Sequence, residues 1–166
     1  MSKVILWHDP ITGGLCITIP AYTDRIRPSD ETEDDFLAGV IARAVPAGVP
    51  TRLVDDSDPG LQDRTFRNAF EDTGVAVQVN MPKARVIHMD RIRQKRNEEL
   101  QKLDIPFMMA SERNDQEAVS KIATQKQKLR DIPQKYDLSG FKTPEKLKAA
   151  WPKELDEKIK DVKKAL

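Results

Sequence analysis

The chain has 166 residues, enough for one ordinary domain or for a small domain with an appendage. It contains 33% charged and 39% hydrophobic residues, which still permits a core, but no apolar run approaches the roughly 20 residues of a membrane-spanning helix. Its single cysteine, Cys16, excludes an intrachain disulfide. We therefore expect a protein that needs neither a membrane nor disulfide bonds.

The net charge of +1 is the sum of two halves of opposite sign. Residues 1–80 carry 7 Lys/Arg and 13 Asp/Glu, a net charge of −6, whereas residues 81–166 carry 21 and 14, a net charge of +7. Such a shift predicts a boundary near Asn80. The three expected parts are a small α+β module over 1–80, a helical hairpin or arm over 81–132, and a linker with short C-terminal helices over 133–166.

The first elements in chain order are a β-hairpin and a helix. Val4–Trp7 and Leu15–Ile19 are rich in β-branched and aromatic residues, and the turn residues between them favour a hairpin with a loop longer than two residues. Apolar residues at helical spacing follow, with Asp30 or Thr32 as alternative N-caps and Pro46 as the end of the helix.

Two further strands are predicted at 51–56 and 75–81. The segment between them, DRTFRNAFED (63–72), lacks a catalytic partner set, so we interpret it as a structural latch. Its aromatic residues share one face of a helical turn capped by Asp63, and its arginines can reach the acidic residues at 55–58. The expected latch residues are Phe66, Phe70, Arg64 and Arg67.

The second half of the chain changes to helical periodicity. Pro82 suits the first turn of a long helix, Asp104 is a candidate cap, and Pro106 should kink or restart the helix. A second apolar stripe follows, with Asp115 as its cap and Pro133 as its end. These two stripes predict an antiparallel helical hairpin.

The last part of the chain, 133–166, is predicted to contain a linker and two short helices. Thr143 can cap the first of these helices, with Pro144 at its first position, and a lysine-rich helix follows Pro152. The predicted fold class is therefore α+β: a small N-terminal β-rich module, then an extended antiparallel helical hairpin and short C-terminal helices.

No catalytic or metal-binding pattern accompanies these elements. His8 and His88 lie far apart in the sequence, so we expect no zinc site, and we interpret His88 as solvated or partly packed. The sequence contains neither a nucleophile elbow nor a phosphate-binding loop. We therefore expect no enzyme and no cofactor.

The segment KARVIHMDRIRQKR (83–96) is a candidate basic contact surface. Such a density of Lys and Arg suits phosphate groups, but the charges are spread around the helix and the segment has no aromatic residue for base stacking. Two interpretations stay open: a solvated face or contact with an acidic partner, and a nucleic-acid site. The residues concerned are Lys83, Arg85, Arg91, Arg93, Lys95 and Arg96.

The order of several segments carries a family resemblance. The stretch 45–72 combines Pro-x-Gly-x-Pro, a strand ending in Asp-Asp, and Asp-Arg-Thr-Phe-Arg-Asn-Ala followed by an aromatic residue. Together with the segments 81–112, 126–133 and 137–155, it resembles small proteins of tailed bacteriophages and prophages in the tail or tail-fibre assembly chaperone-like group. Phe70 departs from this pattern, in which we expect tryptophan.

The resemblance implies a non-enzymatic protein of tail or tail-fibre assembly, either chaperone-like or a minor structural component of the virion. Its partners would be phage tail, fibre or neck proteins, or further copies of itself. It would act in the host cytoplasm during assembly, with the virion as the alternative location. A nucleic-acid-binding phage protein that uses the basic helix 83–96 is the alternative function.

The helical arm carries the candidate partner contacts. The sequence FMM (107–109) places three large apolar side chains in a row, more than one helix face can hide. They belong either to the core of the hairpin or to a docking groove, and Met-rich surfaces accept varied partners. The candidate partner-binding residues are Phe107, Met108, Met109, Met89, Ile92, Leu100 and Leu103.

Overall fold

The computed structural model describes residues 2–22 and 31–156. Contacts within the chain define two compact units, Met1–Asn80 and Met81–Leu166. The predicted α+β class is confirmed, since a small module of antiparallel strands precedes a long helix and several shorter helices. Within the described residues, every helix is too short or too polar to cross a membrane.

The first unit is built on a three-stranded antiparallel sheet. Strand β1 (Lys3–His8) lies between β2 (Leu15–Thr18) and β3 (Thr51–Asp55). The predicted hairpin is present, and Asp9 orders its loop because the Asp9 carboxylate accepts a hydrogen bond from the backbone of Ile11 at 2.8 Å.

Helix α1 (Glu33–Ala44) packs on one face of this sheet. Of the two predicted caps, Thr32 is the one observed: its hydroxyl accepts a hydrogen bond from the backbone of Asp35 at 3.1 Å, and the Asp35 carboxylate bonds back to the Thr32 amide at 3.3 Å. Asp30 lies outside the described residues. The core on this face consists of Ile5, Phe36, Leu37 and Val45.

The other face of the sheet is covered by the remainder of the first unit. Helix α2 (Pro59–Gln62) and a 3-10 helix (Arg64–Ala69) lead into β4 (Phe70–Asp72), which pairs antiparallel with β5 (Val77–Val79). The side chains of β1 alternate between the two faces, so the unit has a second core. Its buried residues are Val4, Leu6, Val54, Leu61, Phe70 and Val77.

Strand β4 is a correction to the sequence-based prediction. The sequence predicts Phe70 on a helical turn, but the 3-10 helix ends at Ala69 and Phe70 pairs with Val79. The predicted strand 75–81 is also longer than the observed β5. Helical spacing could not show this arrangement, because the strand partner of Phe70 lies nine residues away.

The second unit contains five helices in its described part. They are α3 (Met81–Lys102), α4 (Asp104–Glu112), α5 (Gln116–Lys135), α6 (Pro144–Lys148) and α7 (Lys153–Asp156). Helix α5 returns along α4 and α3, while α6 and α7 pack against α3 and α7 also contacts α5. The hairpin thus consists of α3 and α4 on one side and α5 on the other, closed by the two short helices.

Two of these helices begin at the N-cap residues predicted from the sequence. The Asp115 carboxylate accepts a hydrogen bond from the backbone of Ala118 at 3.0 Å and begins α5. The Thr143 hydroxyl accepts one from the backbone of Lys146 at 3.4 Å and begins α6. Residues 157–166 of the predicted last helix lie outside the described residues.

Two predicted helix boundaries are wrong. The N-cap of α4 is Leu103, without a side-chain hydrogen bond, and Asp104 is already helical. Helix α5 continues through Pro133 and ends two residues later. The Asp104 carboxylate accepts a hydrogen bond from Lys126 of α5 at 2.7 Å instead of capping α4. In α5, Ile132 is 4% exposed, and burial of such a side chain competes with the roughly 3 kcal/mol that proline costs inside a helix.

Candidate protein-docking surface

The inner side of α3 carries side chains that hold the second unit together. Ala84, His88 and Ile92 recur at intervals of four residues and are at most 1% exposed. Leu103, just after α3, is equally buried. Of the predicted docking residues, Ile92 and Leu103 therefore lie in the core, where a partner cannot reach them in the folded chain.

His88 is buried, which corrects its interpretation as a solvated or partly packed residue. Its Nε2 atom lies 2.7 Å from the carbonyl oxygen of Ala150, so Nε2–H donates this hydrogen bond, and its ring meets Trp151 edge-on at 5.2 Å. Burial lowers the pKa of His88 because the charged ring would lose its hydration, and the charge of Arg91 lowers it further. A neutral imidazole thus fastens the closing segment to α3.

Phe107 faces α5 and joins the two sides of the hairpin. The ammonium of Lys126 lies 4.7 Å from the centre of the Phe107 ring and 2.7 Å from a carboxylate oxygen of Asp104. The Lys126 side chain is only 12% exposed, so these contacts are partly shielded from water. Three other predicted docking residues are half-buried: Met89, Leu100 and Met109.

The outward side of α4 exposes large apolar side chains. Ile105 is 68% exposed and Met108 is 60% exposed, and their spacing of three residues places them on the same side of the helix. Met109, four residues after Ile105, borders them. We call Ile105, Met108 and Met109 the α4 face.

Sequence reasoning missed Ile105. Its spacing to Met108 and Met109 is a helical signal, and Leu103 and Phe107 occupy the opposite side of the same turns. Helical spacing alone does not show which side of α4 packs against α5, so the sequence could not decide which of the two sides is buried.

Four of the six predicted basic residues are directed toward different local partners. Arg93 pairs at 2.7 Å, and Lys95 at 3.1 Å, with carboxylates three residues away on the same helix. Arg85 donates a hydrogen bond to the carbonyl oxygen of Phe141 at 3.0 Å, and Arg96 donates to a neighbouring side-chain amide, also at 3.0 Å. The remaining two are the exposed Lys83 and the half-buried Arg91.

The predicted latch residues lie in the first unit. Phe66 and Phe70 are 2% and 4% exposed and belong to its interior. Arg64 and Arg67 are exposed, and within the described part of the chain no ion pair joins either arginine to the acidic residues 55–58. The aromatic pair is thus buried, while the arginines lie in water.

A different ion pair fastens this part of the module. Arg52 Nε donates to a carboxylate oxygen of Asp72 at 2.9 Å, and the Asp72 side chain is 11% exposed. This hydrogen bond lowers the pKa of Asp72 because it favours the charged carboxylate. The two residues lie 20 positions apart, so no local motif indicates their pairing.

The stretch 89–154 matches the model of a family described as phage tail assembly chaperone protein. It covers about two fifths of the chain, beginning within α3 and ending within α7, and it contains the whole α4 face. No curated protein and no solved structure matches the chain significantly. The described residues contain no cluster of three or more His, Cys, Asp or Glu side chains suited to a metal ion. The resemblance to phage tail assembly chaperones predicted from the sequence is therefore confirmed for this stretch of the chain.

Proposed function

We propose that this protein is a non-enzymatic chaperone of phage tail assembly that binds a tail protein through the α4 face. The observation that supports this most directly is the exposure of Ile105 and Met108 within the stretch that matches the chaperone family. Side chains of this size are the ones a partner gains most by covering, and contiguous exposed apolar groups mark interaction sites more often than isolated ones do.

The predicted docking residues then divide into two roles. Met108 and Met109 contact the partner together with Ile105. Ile92, Leu103 and Phe107 hold α4 in place from within the unit, and the half-buried Met89 and Leu100 add contact area only at the margin.

The size of the α4 face favours a transient contact. Fully burying an exposed apolar side chain contributes about 1.5–3 kcal/mol, whereas micromolar affinity requires about 8 kcal/mol. The α4 face therefore needs flanking contacts to reach even micromolar affinity, as suits a chaperone that must release its client. Permanent assemblies bury about 2,000–5,000 Å² and are more hydrophobic. We accordingly place the protein in the host cytoplasm during assembly, with a tail, fibre or neck protein as the client.

Co-expression with each tail, fibre and neck protein of the same genome tests this function. We expect one of them to co-purify with the wild-type chain and not with the double variant Ile105→Ser/Met108→Ser. Val86→Ser is the matched control, since Val86 is 61% exposed on α3 but lies outside the α4 face. Loss of the complex in the control alone, or no complex with any of these proteins, would contradict the proposal.

Mass spectrometry of finished particles separates a chaperone from a virion component. We expect the protein to be absent from purified particles and present in the lysate. Stoichiometric amounts in the particle would overturn the transient role while leaving the docking surface intact.

The alternative, nucleic-acid binding through the helix 83–96, has weaker support. Arg93 and Lys95 already pair with carboxylates of their own helix, and Arg85 is directed to a backbone carbonyl. Lys and Arg side chains that are already bonded within the protein neutralise fewer phosphates. Fewer counterions are then released, so binding is weaker. We expect no complex with duplex or single-stranded DNA at low salt; an affinity that falls steeply with added salt would favour the alternative.

A further inference from the structure

A small pocket opens on the second unit away from the α4 face. It has a volume of about 170 Å³ and lies between the C-terminal half of α5 and the start of α7. Its floor contains Ile132 and Pro152, both buried, and the half-buried Tyr136. The lining residues all fall within the family-matched stretch, and none of them belongs to the α4 face.

The volume of the pocket limits what it can hold. Pockets for cofactors and drug-sized ligands measure about 300–1,000 Å³, which is well above this one. A cavity of about 150 Å³ accepts a benzene-sized group. The pocket on α5 and α7, at about 170 Å³, therefore fits one aromatic ring or one leucine side chain.

The rim of the pocket is polar, and among the described residues only some of its polar groups already have hydrogen-bond partners. The Asp131 carboxylate accepts hydrogen bonds from Lys135 at 2.8 Å and Gln127 at 2.7 Å, and both lower its pKa. Burial raises the pKa of Tyr136, so its hydroxyl stays protonated and can donate a hydrogen bond. In the part of the chain that the structure describes, Lys128 has no hydrogen-bond or ion-pair partner.

The remaining charged residue of the rim lies on α7, whereas the others lie on α5. Glu154, on α7, is exposed, and its charge also raises the pKa of Tyr136. A ligand carboxylate would be repelled from this side and attracted to the ammonium of Lys128 on α5. The rim thus favours one orientation of a ligand that carries an acidic group beside an apolar one.

We propose that this pocket receives a leucine or aromatic side chain of the tail protein, with a carboxylate of the same segment bonded to Lys128. This inference rests on the chaperone function proposed above and adds a second contact point to the α4 face. An apolar anchor in a pocket with a polar rim is the arrangement that concentrates binding energy at protein interfaces. Two separate contact points also provide the flanking contacts that the α4 face lacks.

A titration with two small probes tests the pocket without the tail protein. N-acetylphenylalanine carries the ring and a carboxylate, and N-acetylphenylalaninamide carries the ring alone. We expect both probes, at millimolar concentration, to shift the NMR signals of the Ile132 methyl groups and the Tyr136 ring. The carboxylate probe should bind about two- to fivefold more tightly, which is the usual range for an exposed ion pair.

The preference for the carboxylate should disappear in Lys128→Ala. It should persist in the matched control Lys121→Ala, because Lys121 is exposed on α5 and pairs with Glu117 away from the pocket. Unchanged Ile132 and Tyr136 signals up to the solubility limit of both probes would overturn the proposal, and so would equal affinity of the two probes for the wild-type chain.

A second experiment links the pocket to the client. With the tail protein that co-purifies, we expect Lys128→Glu to weaken binding about tenfold and Lys121→Glu to leave it unchanged, with equal melting temperatures for both variants. Wild-type affinity of Lys128→Glu would overturn the pocket proposal, even where Ile105→Ser/Met108→Ser still abolishes binding and thus supports the chaperone function. If no tail protein binds, the chaperone function fails, and the probe titration decides the pocket separately.

Discussion

The two units of the chain differ in what they leave exposed to water. In the described part of the first unit the two most exposed large apolar residues, Ile11 and Val75 at 93% and 88%, are single residues on separate hairpin loops. Ile19 and Leu53, 57% and 42% exposed, lie beside or on the two edge strands of the sheet, with β1 between them. In the second unit Ile105 and Met108 are exposed side by side on one helix. Isolated exposed apolar residues are common on protein surfaces, whereas contiguous ones mark interaction sites. We therefore expect a partner to cover the second unit, through the α4 face, and not the first unit.

The units also differ in how they are fastened. In the first, backbone segments approach closely where Gly60 of α2 lies against the carbonyl group of Val77 in β5, and the Arg52–Asp72 ion pair adds a side-chain contact. The second relies on side chains that hold a distant backbone, as His88 does with Ala150. A substitution at Gly60 should therefore act on the first unit through steric clash, whereas one at His88 should act on the second unit through a lost hydrogen bond.

Gly60→Ala should have the largest effect on stability. A Cβ atom at this position would lie 2.1 Å from the backbone oxygen of Val77, so α2 must move away from β5. We expect the free energy of unfolding to fall by about 3 kcal/mol, as measured by urea denaturation. Gly39→Ala, in α1, is the control: no atom lies within 4 Å of its Cβ position, and alanine should stabilise the helix by about 0.5–1 kcal/mol. Equal stability of Gly60→Ala and the wild type would show that the close approach is not needed.

Loss of the hydrogen bond between His88 and Ala150 should have the next largest effect on stability. His88→Ala leaves a void and removes the donor from the Ala150 carbonyl, so we expect a loss of about 2 kcal/mol. His88→Gln, whose amide can donate to the same carbonyl, should recover part of that loss. Protection of the backbone amides of 138–155 from hydrogen exchange should fall in His88→Ala while that of β1 stays unchanged. An equal loss of protection in both units would contradict the prediction that His88 stabilises the second unit alone.

The histidine also predicts a pH dependence of stability. Its pKa is lowered in the folded chain from an ordinary value of 6.5, so below about pH 6.5 the unfolded chain binds a proton that the folded chain resists. The stabilisation is complete above that pH and is lost as the pH falls toward the lowered pKa. We expect urea denaturation between pH 7.5 and pH 5.5 to show a steeper loss for the wild type than for His88→Gln. Parallel curves would mean that the imidazole is not buried in solution.

Several elements could be predicted from the sequence because a few neighbouring residues determine them. Thr32 and Asp35 form their capping box within four positions, and Asp115 and Thr143 cap α5 and α6 in the same local way. The β1–β2 hairpin depends on a single loop. Met108 was identified as a candidate contact because three large residues in a row exceed what one helix face can bury.

Other features depend on residues that are distant in the sequence. Phe70 is in a strand because Val79 pairs with it, and His88 is buried because Ala150 and Trp151 lie against it from more than 60 residues away. Ile105 was missed for a related reason, since only packing against α5 decides which side of α4 faces outward. Local propensity sets the elements, and long-range contacts decide which of their faces are buried.

The turn between α4 and α5 should show the smallest effect. Asn114 has a positive φ of 58°, and the amide of the following residue bonds back to the Ala110 carbonyl at 2.9 Å, which is the arrangement that favours glycine at a helix end. We expect Asn114→Gly to raise the free energy of unfolding by about 0.5 kcal/mol and Asn114→Ala to lower it by about 1 kcal/mol. Asn97→Gly, in the interior of α3, should destabilise instead. The same sign for both glycine variants would contradict this interpretation of the turn.

We propose that a tail protein covers the second unit and not the first. Calorimetric titration of the co-purified tail protein with two double variants tests it most directly. Ile105→Ser/Met108→Ser removes the exposed apolar pair of α4, and Ile11→Ser/Val75→Ser removes the exposed apolar residues of the two hairpin loops. We expect the first variant to lose at least tenfold in affinity, or about 1.4 kcal/mol, and the second to stay within twofold of the wild type. Equal losses in both variants, or a loss only in the hairpin-loop variant, would contradict the claim.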